Sequence, residues 1–185
     1  MIVATENTPN PNTLKFLPGK KVSEVGPVEF LKSDKTIKVP LANKILSIKG
    51  ATMVFFGEDF ITVKKEEVIN WEDIKHSIIS EINDYYLKGN SVVIKKDLNK
   101  ITSNAKPNES NEIIEKINEV LNTKVRPAVA RDGGDITFKS FNNGVVIVVL
   151  KGSCSGCPSS IMTLKQGVQN LLCHYIPEVK SVEAN

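Results

Sequence analysis

The chain has 185 residues, 41% of them apolar, enough for one large domain or two small ones that each bury a modest core. A formal charge of only +3, with no strongly basic segment and with lysine at all but two of the 24 basic positions (Arg126 and Arg131), argues against nucleic acid as a partner. No apolar stretch approaches the roughly 20 residues that span a bilayer, so no membrane segment is expected, and three cysteines behind a start without a secretory signal point to reduced thiols rather than a disulfide framework.

Thr8-Pro9-Asn10-Pro11-Asn12 is a turn-rich opening that excludes helix, and Thr13-Leu14-Lys15-Phe16-Leu17 then alternates as a short strand before stopping at Pro18-Gly19. Pro40 begins one or two helical turns that reach Leu46. Residues 52–56 and 60–64 flank Gly57-Glu58-Asp59, a connection suited to a β-hairpin. From Trp71, the residues Ile74, Ile78, Ile82 and Tyr85 recur every three or four positions, and Gly89 stops the helix they predict. Residues 96–109 lack aromatic side chains, are rich in Lys, Asn and Ser, and carry Pro107, which is the composition of a linker.

Beyond the linker, Ser110 can cap a helix in which Ile113, Ile114, Ile117, Val120 and Leu121 form one stripe, with Glu112 and Glu115 near its positive end. A shorter helical piece is expected over residues 125–130. Asp132-Gly133-Gly134-Asp135 turns the chain into a strand over 136–141, Asn142-Asn143-Gly144 makes a tight turn, and the β-branched run Val145–Leu150 returns as a buried strand. Pro158 fits the first position of a helix carrying Ile161, Leu164, Val168, Leu171, Leu172 and Tyr175; Pro177 ends it, and residues 179–183 add an edge strand. The expected class is α+β: two small mixed α/β domains, residues 1–95 and 110–185, joined by the polar linker 96–109, the second being a helix-hairpin-helix-strand domain with a CxxC loop.

That loop, Cys154-Ser155-Gly156-Cys157-Pro158, holds two of the three cysteines between a strand and the first turn of a helix, whose unpaired N–H groups and dipole favour thiolate. Four readings compete: an iron–sulfur cluster, structural zinc, a thioredoxin-like dithiol redox pair, and a structural cysteine pair without a cofactor. Cluster and zinc both want about four protein ligands. Cys173 and His174 complete such a set only on paper, because about 15 residues of helix at 1.5 Å each separate them from the loop by roughly 22 Å, against metal–sulfur bonds of about 2.3 Å. The simplest remaining source of ligands is a second copy of the chain. The redox reading is weakened by the hairpin before the loop and by the absence of an upstream βαβ unit.

Other features take bland readings. Cys173 reads as a small core or boundary residue, and His76 and His174 as surface or boundary histidines; no Ser or Cys has an evident histidine partner, so triad chemistry is unsupported. Asp132-Gly133-Gly134-Asp135 reads as backbone geometry rather than a carboxylate site. Phe55, Phe56 and Phe60 read as core, with a partner-binding patch as the alternative.

Gly133-Gly134-Asp135, Lys151-Gly152-Ser153-Cys154-Ser155-Gly156-Cys157-Pro158-Ser159-Ser160 and His174-Tyr175-Ile176-Pro177-Glu178-Val179 together resemble the C-terminal domain of NifU. The start, Thr8-Pro9-Asn10-Pro11-Asn12-Thr13-Leu14-Lys15-Phe16, with Val54-Phe55-Phe56-Gly57 and Asp59-Phe60-Ile61-Thr62-Val63, is similar to the N-terminal domain of the Nfu-type scaffold proteins. The resemblance implies a non-enzymatic iron–sulfur carrier that binds a 4Fe-4S cluster, or a 2Fe-2S form, between two subunits through thiolates at Cys154 and Cys157. It also implies transfer to apo iron–sulfur recipient proteins and upstream cluster donors or chaperones; the charge and hydropathy above add the expectation of no nucleic acid and no membrane. The assembly and permanent-cluster domains of full-length NifU have no counterpart here, which favours late-stage transfer over assembly. Such proteins occur in bacteria and mitochondria; with Met1 a few residues before the first motif, the expectation is a bacterial cytoplasm, the alternative being the mitochondrial matrix for a trimmed organellar protein.

Overall fold

The computed structural model describes residues 3–34, 37–90, 111–156 and 158–184. The chain divides into two compact units, residues 1–100 and 101–185. Each combines a sheet with helices, which is the α+β class expected; the predicted linker 96–109 and the Ser110 cap lie outside the described residues.

In the first unit β1 (Ala4–Asn7), β2 (Thr13–Leu17), β3 (Val28–Leu31), β4 (Ala51–Phe56) and β5 (Ile61–Lys65) form one antiparallel sheet in the order β1-β2-β5-β4-β3. The Thr8–Asn12 opening is an Asx-type turn. The Asn10 carboxamide oxygen accepts the Asn12 N–H at 3.0 Å, and the Thr8 hydroxyl donates to the Asn10 carbonyl at 2.9 Å, which brings β1 back against β2. α1 (Pro40–Ser47) starts at the proline as predicted and buries Leu41, Ala42, Ile45 and Leu46. α2 (Trp71–Leu87) buries Ile74, Ile78, Ile82 and Tyr86 at four-residue spacing and stops before Gly89, whose φ of 74° is the left-handed conformation that glycine adopts at a helix end. These two helices and the β2, β4 and β5 side chains Phe16, Val54, Phe56, Ile61 and Val63 share one core. Phe55 and Phe56 are successive residues of β4 and so face opposite sides of the sheet; Phe55 packs on Phe60 at 5.9 Å, and all three phenylalanines are buried.

The two strands that no sequence pattern announced, β1 and β3, are four-residue edge strands with mostly exposed or half-buried side chains. β1 is placed by the ladder of its neighbour rather than by an apolar face, whereas β3 also turns Val28 and Phe30 onto the core, Phe30 meeting Phe56 edge-on at 5.9 Å.

The second unit begins with α3 (Asn111–Val120), which passes through a π turn at Leu121–Val125 into α4 (Arg126–Arg131). The Arg126 N–H donates to the carbonyl of Leu121, five residues back. Pro127 accounts for this wide turn: it has no N–H for the usual helical bond, and its ring crowds the preceding turn. β6 (Gly134–Asn142) and β7 (Val145–Gly152) then pair antiparallel through Asn143 and Gly144, whose φ values of 51° and 86° make the tight turn that Asn142-Asn143-Gly144 predicts. α5 (Pro158–Tyr175) crosses over to β8 (Ser181–Ala184), an edge strand parallel to β7.

β7 is thus the central strand, and the continuous burial expected for Val145–Leu150 is corrected. Val146, Val148 and Leu150 pack with Ile117, Leu121, Val168 and Leu172, whereas Val145, Ile147 and Val149 are half-buried, because the helices of this unit cover only one face. The parallel return of β8 also makes β7-α5-β8 a strand-helix-strand unit with the cysteine loop at its first junction; the helix and edge strand are as expected, the parallel pairing is an addition.

Tyr86 supplies a pH test of the first core. Burial, reinforced by neighbouring Tyr85, pushes its phenol from an ordinary 10.0 up to about 12. A raised pKa on folding stabilises fully below the unfolded value and is lost as pH rises through the folded one. Denaturant midpoints should therefore fall as pH climbs from about 10 to about 12, and Tyr86→Phe should flatten that fall; an equal fall in the variant would contradict it.

Candidate functional site

β7 delivers its last residue, Gly152, to a turn over Ser153–Gly156 that leads to α5 at Pro158. The Gly152 carbonyl receives both the Ser155 N–H, at 3.2 Å, and the Ser155 hydroxyl, at 2.8 Å, which closes the turn on itself. Gly152 and Gly156 have φ of 68° and 77°, so each end of the turn uses a conformation that side chains rarely adopt.

A second turn, between α4 and β6, is clamped onto the first. The Ser153 N–H donates to the Gly133 carbonyl at 3.2 Å, and the Ser153 hydroxyl donates to the Asp132 carbonyl. Cys154 is only 6% exposed and belongs to the core of the second unit. Its Sγ lies 3.8 Å from the Ser153 hydroxyl, and it rests against Gly134 so closely that a Cβ there would stand 2.8 Å from the sulfur and 2.7 Å from the Lys151 carbonyl. The backbone reading holds for Gly133, whose φ is 81°, whereas Gly134 serves to make room for the thiol.

The same corner carries an ion pair that sequence reasoning missed. Arg126 grips Asp135 in two places, Nε to Oδ1 at 2.7 Å and a terminal nitrogen to Oδ2 at 3.1 Å, and holds Asn122 Oδ1 at 3.0 Å. The Asp135 side chain is 5% exposed. The partners lie nine positions apart across helix, turn and strand, so no periodicity links them. The available signal was chemical: an arginine among lysines suits a two-pronged carboxylate grip that lysine cannot make.

The remaining candidates separate in space. Cys157 lies outside the described residues. Cys173 sits in the last turn of α5, half-buried at the margin of the core, as expected of a boundary residue. His174 is exposed and meets the Tyr175 ring edge-on at 5.1 Å; His76 is exposed on α2. Among the described residues no three His, Cys, Asp or Glu side chains gather where they could hold a metal ion, and no helix is long and apolar enough to cross a membrane.

Two family models match this chain in order: the scaffold protein Nfu/NifU N-terminal domain over residues 2–89 and the NifU-like domain over residues 117–183. The class is thus a two-module NifU-like protein. The human "NFU1 iron-sulfur cluster scaffold homolog, mitochondrial" is 44% identical over 99% of this chain, which spans 71% of the human protein. "NifU-like protein 4, mitochondrial" of Arabidopsis thaliana is 42% identical over 99% of the chain, which spans 65% of that relative. A solution structure of a NifU-like protein from Saccharomyces cerevisiae aligns with 51% of this chain and 86% of its own at 27% identity and a TM-score of 0.47. The chain belongs to the Nfu/NifU family of iron–sulfur cluster scaffold proteins.

The expected bacterial cytoplasm is overturned. The human and Arabidopsis relatives bear mitochondrial names. They also extend well beyond the stretch matched here, so the closeness of Met1 to the first motif says nothing about location.

Arg126→Ala should strand the Asp135 carboxylate against the strand pair and lower stability by about 2 kcal/mol, less than for a fully buried pair because the arginine is part-exposed. Arg126→Ala with Asp135→Ala should lose less than Arg126→Ala alone, measured by urea denaturation; equal or greater loss in the double variant would contradict this.

Proposed function

We propose that this protein is an iron–sulfur cluster carrier rather than an enzyme, binding a labile 4Fe-4S cluster between two subunits through Cys154 and Cys157 and handing it to apo-proteins. One observation supports the reading beyond the family: Cys154 is held in a turn at the head of α5 while Cys173 lies at that helix's far end, too far to join it, which favours a ligand set completed by a second chain. Transfer is then ligand exchange. A recipient thiol gives up its proton as its sulfur binds iron, the departing cysteine sulfur takes one up, and no electrons move. Two ligands per subunit make that exchange stepwise and reversible.

Residues 110–185 would form the scaffold domain, and residues 1–95, beyond the linker 96–109, would recruit donors or chaperones and recipients. The mitochondrial names of the relatives support an organellar location. A dithiol reading draws on a different observation, the place of the CxxC motif between a strand and a helix whose next strand runs parallel, a common setting for reactive thiols. Structural zinc is the third outcome of the same test.

Anaerobic reconstitution with iron and sulfide should give about two iron and two sulfide per chain, abolished by Cys154→Ser and by Cys157→Ser and retained when residues 1–95 are removed. Zinc alone, or a chain that only cycles between dithiol and disulfide, would overturn the carrier reading in favour of the corresponding alternative.

A further inference from the structure

We infer that Gly134 is a positioning residue for the Cys154 thiol: the bare backbone at the start of β6 is the seat on which that sulfur rests. The φ of Gly134 does not lie in the left-handed region, so glycine is not required there for backbone conformation. What a side chain would meet is specific. A Cβ would come within 2.8 Å of Cys154 Sγ, 3.3 Å of Cys154 Cβ and 2.7 Å of the Lys151 carbonyl, all inside van der Waals contact.

The seat is built from both sides. Gly134 pairs with Gly152, the residue that opens the cysteine turn, and Asp135 pairs with Lys151. Ser153 ties the turn to the carbonyls of Asp132 and Gly133, immediately before Gly134. The Arg126 grip on Asp135 fixes the next residue along. Seat and turn are therefore tied together, and Cys154 is 6% exposed where they meet. A methyl group at position 134 must push the thiol outward or force β6 and β7 apart.

The relevance of this seat to cargo rests on Cys154 being a working thiol, as proposed above; the seat itself is tested on the protein without iron. Gly134→Ala should raise the rate at which iodoacetamide alkylates Cys154, followed by peptide mass spectrometry, by roughly tenfold, while Cys173 is unchanged. An unchanged Cys154 rate would overturn the inference. A rival view holds that Gly134 serves only the spacing at the Lys151 carbonyl. A thermal-denaturation cycle with Cys154→Ala separates the two: the Tm loss from Gly134→Ala should shrink when the sulfur is absent, and an equal loss in both backgrounds would overturn the inference. Ser153→Ala, which keeps the seat but removes the tie, should raise alkylation of Cys154 less than Gly134→Ala does, and a larger rise would place the protection in the tie instead. Failure of the wild type to take up iron and sulfide would count against the carrier reading and leave these results standing.

Discussion

The packing of one sulfur atom against a glycine is the constraint around which the second unit is arranged. Cys154 rests where a Cβ on Gly134 would clash with it, so β6 must reach that point without a side chain and the turn after β7 must arrive in register. The surrounding bonds serve that register. Ser153 reaches back to two carbonyls of the α4–β6 turn, and Arg126 holds Asp135 at the first residues of β6. Arg126 in turn is the residue at which the π turn gives way to α4, and Pro127 makes that wide turn necessary. A chain of local requirements thus runs from a missing N–H in a helix to the position of a thiol.

Such an anchored thiol suits a carrier. A cysteine on a loose loop would sample many geometries and lose entropy on binding, whereas a seated one has already given up that freedom. On the proposed reading, affinity would be limited by the number of ligands rather than by their disorder, and two per chain would leave the cargo exchangeable. The first unit is built differently, around two helices on an antiparallel sheet with a buried aromatic pair on the opposite face, and the CxxC motif lies entirely in the other half of the chain.

Much of this was legible in the residues, and what escaped has physical reasons. β2, α1, α2, the Asn143-Gly144 turn and α5 declared themselves through periodicity, proline and glycine, because each buries its own stripe or needs its own dihedral angles. β1 and β3 did not, since an edge strand of four residues is held by its neighbour's hydrogen bonds. The apolar run of β7 suggested burial on both faces, yet β-branched residues also suit a half-covered face. The CxxC motif and the paired glycines were visible separately; their contact was not, because it joins residues 20 positions apart through tertiary structure. Location proved unreadable from the start of the chain, and the relatives corrected it.

The central claim is that the site is completed by a second copy of the chain around one cluster. Native mass spectrometry of the anaerobically reconstituted protein tests it most directly, because it weighs chains and cargo together. A dimer carrying the mass of a single four-iron, four-sulfur cluster is expected, with the dimer signal collapsing to monomer when the cluster is chelated. A cluster-loaded monomer, or a dimer whose mass and stability are indifferent to iron and sulfide, would contradict it.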